Sequence, residues 1–138
     1  MDFDEVVAQY HKALTPFANG NPEPVKALWS QTGDVVLANP FGPAVIGWPA
    51  VADALDYASS RMGGGDMPDG EQMAKFVTTD LGIIHEREHW RIKMGRDEMS
   101  DVRLRVTSTF RYQDDLWKLV HRHADPIDTF SPDGPLRQ

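Results

Sequence analysis

Apolar positions recur at helical spacing in the first half of the chain and at strand spacing in the second. Phe3, Val6, Val7, Tyr10, Leu14 and Phe17 form one stripe, which predicts an amphipathic helix. Asp2 and Glu5 have capping-box spacing at its start, and Pro16 with the ANGN stretch ends it. Asn21 followed by Pro22 reads as the start of a short second helix carrying Val25, Leu28 and Trp29. Asp34 to Asn39 is a β-rich run broken by Pro40, Gly42 and Pro43. Val51, Leu55, Ala58 and Met62 then return to helical spacing, predicting a third helix over 50–61. MGGGDMPDGE, residues 62–71, holds four glycines and a proline and predicts a mobile loop. Strands are predicted at 71–79, 83–94, 100–112 and 116–124, with GRDE and QDDL as hairpin turns. Helices first and an antiparallel meander after predict an α+β domain over 1–125, a curved sheet wrapped around helices. Residues 126–138, with three prolines and little apolar content, predict an extended C-terminal tail.

The hairpins assign faces, because side chains alternate along a strand. With Arg96-Asp97 as a two-residue turn, Glu88 faces Arg105 and Trp90 faces Arg103, an ion pair and a cation–π contact. With Asp114-Asp115 as the next, His121 faces Ser108 and His123 faces Val106. These registers put His85, Arg87, His89, Val106, Ser108, Phe110, Leu119, His121 and His123 on one face. The other carries Glu86, Glu88, Trp90, Arg103, Arg105, Arg111 and Arg122. Being mostly charged, that second face is expected to be the outer one, which turns the histidines under the helices.

A chain of 138 residues, 41% hydrophobic and 25% charged, suits one globular domain. A net charge of −7 without any Lys/Arg run argues against nucleic acid as a partner. There is no cysteine, so neither a disulfide framework nor thiolate chemistry is available. The acidic start MDFDEVV has no basic or apolar signal region, and no apolar run reaches the roughly 18–20 residues of a membrane span; a cytoplasmic protein is expected.

Histidine titrates near pH ~6.5 when unperturbed, which makes His121 and His123 candidates for general acid–base work on a small carbonyl substrate. The alternative is that they are satisfied polar residues on a half-buried strand. His121-x-His123 also has metal-pair spacing, with His85 or His89 as a third ligand. His85 is two strand spacings away, roughly 10 Å, and no carboxylate shares the face, so no metal is expected. Arg87 could meet a ligand carboxylate. Asn39 could orient a ligand carbonyl or simply start a turn before Pro40.

Several short segments, in their order and spacing, resemble the nuclear-transport-factor-2-like superfamily in its SnoaL-like and ketosteroid-isomerase-like branch. They are QYHKAL, ALW, DVVLANPFGP, GWPAV and TFRYQDDLWKLVHRHAD, and the resemblance covers about residues 3–124. It implies a cystatin-like cone: three N-terminal helices packed on a strongly curved mixed, mostly antiparallel β-sheet, with a pocket between them. It also implies a homodimer formed through the outer sheet face. In the family's steroid isomerases a helix-1 tyrosine and a buried protonated acid form an oxyanion hole, and a carboxylate before the first strand's proline is the base. Those positions match Tyr10, Ser108 and Asn39 here, so one of the three is kept. The expectation is a SnoaL-like protein with a pocket for a small apolar or carboxylated ligand and no cofactor. It would be an isomerase, cyclase or dehydratase on an apolar carbonyl or polyketide-like substrate, with His121, His123 and Tyr10 catalytic. Asn39, His85, Arg87, His89, Val106, Ser108, Phe110 and Leu119 would contact the ligand. The alternative is a non-catalytic binding or dimerisation module of the same fold.

Overall fold

The computed structural model describes residues 1–94 and 98–126, so most of the GRDE turn and the tail after 126 lie outside the described residues. The N-terminal stripe folds as α1 (Phe3–Phe17) and buries all six of its apolar positions. Asp2 caps the helix, its carboxylate accepting from the Glu5 N–H at 2.8 Å. A single turn, α2 (Glu23–Lys26), follows. Two short strands, β1 (Val36–Ala38) and β2 (Val45–Ile46), flank the NPFGP turn and lead into α3 (Trp48–Ser60). The two residues of β2 are too few for an alternation to register in the sequence. Four long strands complete the chain: β3 (Met62–Val77), β4 (Leu81–Met94), β5 (Met99–Gln113) and β6 (Leu116–Asp125).

All six strands form one sheet in the order β2-β1-β6-β5-β4-β3. β1 runs parallel to β6 and every other neighbour pair is antiparallel. The helices pack on one face of this mixed, curved sheet, which is the α+β architecture the pattern of elements predicts.

Residues 62–71 are strand, not the expected mobile loop. β3 pairs with β4 along this stretch through several register shifts. The glycines serve a close approach. A Cβ on Gly65 would lie 2.4 Å from Ile92 Cγ2 and 3.0 Å from the Ala18 carbonyl oxygen. Asn19, just past α1, donates from Nδ2 to the Gly65 carbonyl at 2.8 Å and accepts from its N–H at 3.3 Å. The end of α1 is thereby sewn to β3.

Two registers differ from expectation, and each inverts a face. On β4–β5, Glu88 lies opposite Leu104 and Trp90 opposite Val102, one residue from the expected pairing with Arg105 and Arg103. Ile84, Glu86, Glu88, Trp90 and Ile92 are therefore buried on the inner face. β5–β6 pairing starts as expected, with Gln113 opposite Leu116 and Phe110 opposite Leu119, but Thr109 then faces His121, leaving Val120 as a bulge. Past the bulge Arg122 and Ala124 turn inward, and His121 and His123 turn out. The bulge sits where β6 changes its lateral neighbour. Leu119 exchanges backbone bonds with Leu28 and Ser30, both at 2.8 Å, whereas from His121 onward β6 pairs with β1.

Candidate functional site

Between the helices, β1 and the inner face of β4–β6 lies a cavity of about 190 Å³. Leu14 and Phe17 of α1, Leu55 and Ala58 of α3, and Ile92 and Leu104 of the sheet make its walls apolar. Pro40 and Phe41, just after β1, border it as well. Its polar lining comes from Tyr10, Asn39, Trp90 and Arg122.

These side chains reach the cavity for local reasons. Tyr10 is on the buried stripe of α1, and its ring packs edge-on against Phe110 at 5.9 Å. Arg122 points inward because of the Val120 bulge, and Leu37 of β1 lies beside it. Asn39 is two residues past Leu37. Its Oδ1 accepts from the Phe41 N–H at 3.1 Å, which fixes the turn and leaves the amide NH₂ for another partner.

Arg122 organises the polar end. It donates to both Glu88 carboxylate oxygens, at 3.0 and 2.8 Å, and to the Tyr10 hydroxyl oxygen. Three of its five N–H groups are thereby used. Glu88 also accepts from Trp90 Nε1 at 2.8 Å. Burial alone would push the Glu88 pKa up, but the charge and hydrogen bonds of Arg122, with Trp90, hold it below the usual carboxylate range. Burial likewise opposes the Arg122 charge, and Glu88 more than restores it. Burial pushes Tyr10 up to about 12, against the pull of Arg122, so the phenol stays protonated and can donate. Ser108 is fully buried next to this hydroxyl, and its Oγ makes no well-formed hydrogen bond.

A second buried carboxylate, Glu86, meets His11 of α1 at 2.7 Å and leaves its other oxygen without a partner. The Glu86 hydrogen bond raises the His11 pKa. Among the described residues no three His, Cys, Asp or Glu side chains gather as a metal-binding group.

Of the expected site residues, Tyr10 and Asn39 line the cavity. Val106, Ser108, Phe110 and Leu119 are on the inner face, fully buried in the core, and do not line it. The placement of His85, Arg87, His89, His121 and His123 under the helices is corrected: all five are on the outer face. His85 Nδ1 shares a hydrogen bond with Thr107 Oγ1 at 3.0 Å, and His121 Nδ1 one with Thr109 Oγ1 at 3.3 Å. His89 Nε2 meets Asp101 at 2.9 Å, Arg87 approaches Glu71 at 3.8 Å, and His123 is exposed. Burial, then the neighbouring His123, lowers the His121 pKa. What the sequence reading missed is Arg122, Glu88 and Trp90. The only available signal was the strand of alternating Glu86, Glu88 and Trp90, which looked like an outer face because it is charged.

A family model for the SnoaL-like domain matches residues 4–128. Among solved structures, a candidate dehydratase of the NTF2-like family from Streptomyces avermitilis has a TM-score of 0.72 at 18% identity, covering 91% of this chain and 94% of its own. An NTF2-like superfamily protein from Salmonella enterica has a TM-score of 0.71 at 15% identity, over 94% and 92% of the two chains. A candidate calcium/calmodulin-dependent protein kinase type II association domain from Thiobacillus denitrificans reaches 0.73 at 18% identity, over 91% and 95%. Such identities carry the fold alone. Among curated proteins, none matches this sequence significantly. No helix among the described residues is long and apolar enough to cross a membrane. With the family model matched over residues 4–128 of the 138, the chain belongs to the SnoaL-like domain family.

Proposed function

We propose that the protein binds a small, largely apolar molecule that carries an oxygen acceptor at one end. The observation behind this is the make-up of the cavity lining: hydrocarbon walls, with Tyr10, Arg122 and Asn39 among them as side chains that can donate hydrogen bonds. The volume suits a single substituted ring, since an engineered apolar cavity of about 150 Å³ holds benzene. Histidine acid–base chemistry is not part of this reading, because no histidine lines the cavity.

An isomerase, cyclase or dehydratase acting here would use Tyr10 to stabilise a developing oxyanion, which Arg122 favours by polarising the hydroxyl. It would also need a base, and among the described residues no lining side chain is a free carboxylate or imidazole. Binding is therefore the better-supported reading, within a cytoplasmic setting. Its test is ¹⁵N-resolved NMR with a panel of monocyclic ketones, aldehydes and amides. Shifts centred on Tyr10, Leu55, Leu104 and Arg122 are expected. Shifts confined to the outer face, or none, would sink it.

The partner of the outer sheet face is proposed to be a second copy of the chain. One uncharged row crosses all six strands: Phe76, Ile83, Thr109, His121, Val36 and Ile46. Phe76 and Ile46, at its two ends, are 67% and 69% exposed. A self-complementary patch is what a two-fold interface requires, and an uncharged row meets its own copy without repulsion. Sedimentation should give a dimer that Phe76→Lys weakens, and a wild-type monomer at high concentration would refute it.

A further inference from the structure

Resting on the ligand-binding reading, we infer that the cavity selects uncharged acceptors, a ketone, aldehyde or amide oxygen, and rejects carboxylates. Arg122 is the one charged residue among the described residues of the lining, which at first sight invites an anion. Its charge is already matched. Glu88 takes two of its N–H groups in a paired, buried geometry, and Trp90 pins Glu88 in place. A ligand carboxylate would have only two courses. It could share Arg122 with Glu88, which puts two anions around one cation away from water. Or it could displace Glu88, leaving that carboxylate buried with only the Trp90 N–H. The surroundings worsen both. Glu86 is buried on the same strand, near enough to Tyr10 to raise its pKa, and its own partner His11 does not line the cavity.

A neutral oxygen meets none of these obstacles. The Tyr10 phenol is protonated across the physiological range, Arg122 has N–H groups beyond the three it uses, and Asn39 keeps its amide NH₂. All three groups donate and none demands a proton from the ligand, so the cavity asks for lone pairs rather than for charge. Glu88, which the ligand never touches, thus acts as the specificity-setting residue.

Benzamide and benzoate provide the test, because they share shape and differ in charge, with acetophenone as a second neutral probe. Ligand-detected NMR on the full chain near neutral pH should rank benzamide and acetophenone at least about tenfold tighter than benzoate. Glu88→Gln keeps an acceptor for Trp90 and frees the Arg122 charge, so benzoate should gain about tenfold or more relative to the neutral probes. Benzoate binding as tightly as benzamide in the wild type would overturn the selectivity and leave the pocket standing. Failure of all three probes to bind would overturn both. Should Glu88→Gln not fold, the wild-type ranking alone decides.

Discussion

Two ion pairs in this protein have nearly the same geometry and opposite surroundings. Arg122 grips Glu88 with two hydrogen bonds of 3.0 and 2.8 Å on the inner face, and Arg105 grips Asp125 with two of 2.7 and 2.9 Å on the outer face. The side chains of the inner pair are 11% and 1% exposed, those of the outer pair 49% and 34%. Geometry therefore does not distinguish them; solvent does. In water each charge is nearly content alone, and the pair adds little. Away from water the two charges are tolerable only together, so each fixes the position of the other and of whatever else it holds. That is why the inner pair can hold Tyr10 and Trp90 in place beside the cavity, while the outer pair belongs to a field of exposed charge.

The sharpest way to break this comparison is to remove one partner from each pair. Arg122→Met should cost about 3–5 kcal/mol in urea denaturation, because it strands the Glu88 charge in the core. Adding Glu88→Gln to that variant removes the stranded charge and keeps the Trp90 acceptor, so about 2 kcal/mol or more should return. If Arg122→Met costs no more than Arg105→Met, burial is not what separates the two pairs. Tyr10→Phe comes next. The ring still packs against Phe110, but Arg122 loses an acceptor, so a cost of about 1.5–2 kcal/mol is expected together with weaker binding of neutral carbonyl probes. An unchanged affinity would take Tyr10 out of the binding end.

The same two faces mark where the sequence could be read and where it could not. Elements were legible because their signal is local: α1 is written in the spacing of Phe3, Val6, Val7, Tyr10, Leu14 and Phe17, and begins and ends as that spacing implies. Faces were not, because parity along a strand depends on every residue upstream of it. One residue in the β4–β5 connection exchanged His85, Arg87 and His89 for Glu86, Glu88 and Trp90. One bulged residue, Val120, exchanged His121 and His123 for Arg122. Charge misled in the same direction, since two carboxylates and an arginine on alternate positions resemble a solvated surface until their mutual pairing is seen. The glycine run was misread for a related reason: Gly65 is small for the sake of Ile92 and Ala18, which are distant in sequence. Tyr10 and Asn39 were found because the family resemblance placed them without any register.

His11 lies between the two extremes, with its side chain 36% exposed against a Glu86 that is 5% exposed. Its pKa is raised by Glu86, so the folded state binds the proton more tightly than the unfolded chain does. The resulting stability is fully present below pH ~6.5, the unfolded value, and is lost as pH rises through the higher folded value. His11→Ala should therefore cost about 1 kcal/mol near pH 6, a figure already reduced for solvent screening, and less at pH 8.5. A cost independent of pH would mean that the ring contributes packing and not charge.

The smallest effect belongs to Arg105→Ala. Its guanidinium gains from Asp125, whose hydrogen bond raises the Arg105 pKa, yet both side chains keep water as an alternative partner. Removing Arg105 therefore leaves the Asp125 carboxylate within reach of water instead of stranding a charge in the core. The denaturation midpoint should not move measurably at about 0.15 M salt, where screening acts over roughly 8 Å, and any difference seen at low salt should vanish as salt is added. A salt-independent loss would show that Arg105 is shielded from water, and the proposed second copy on the outer face is what could shield it. The prediction is therefore sharpest below the dissociation concentration of any dimer. A cost that appears only above that concentration would give the outer pair, inside the interface, some of the worth that burial gives the inner one.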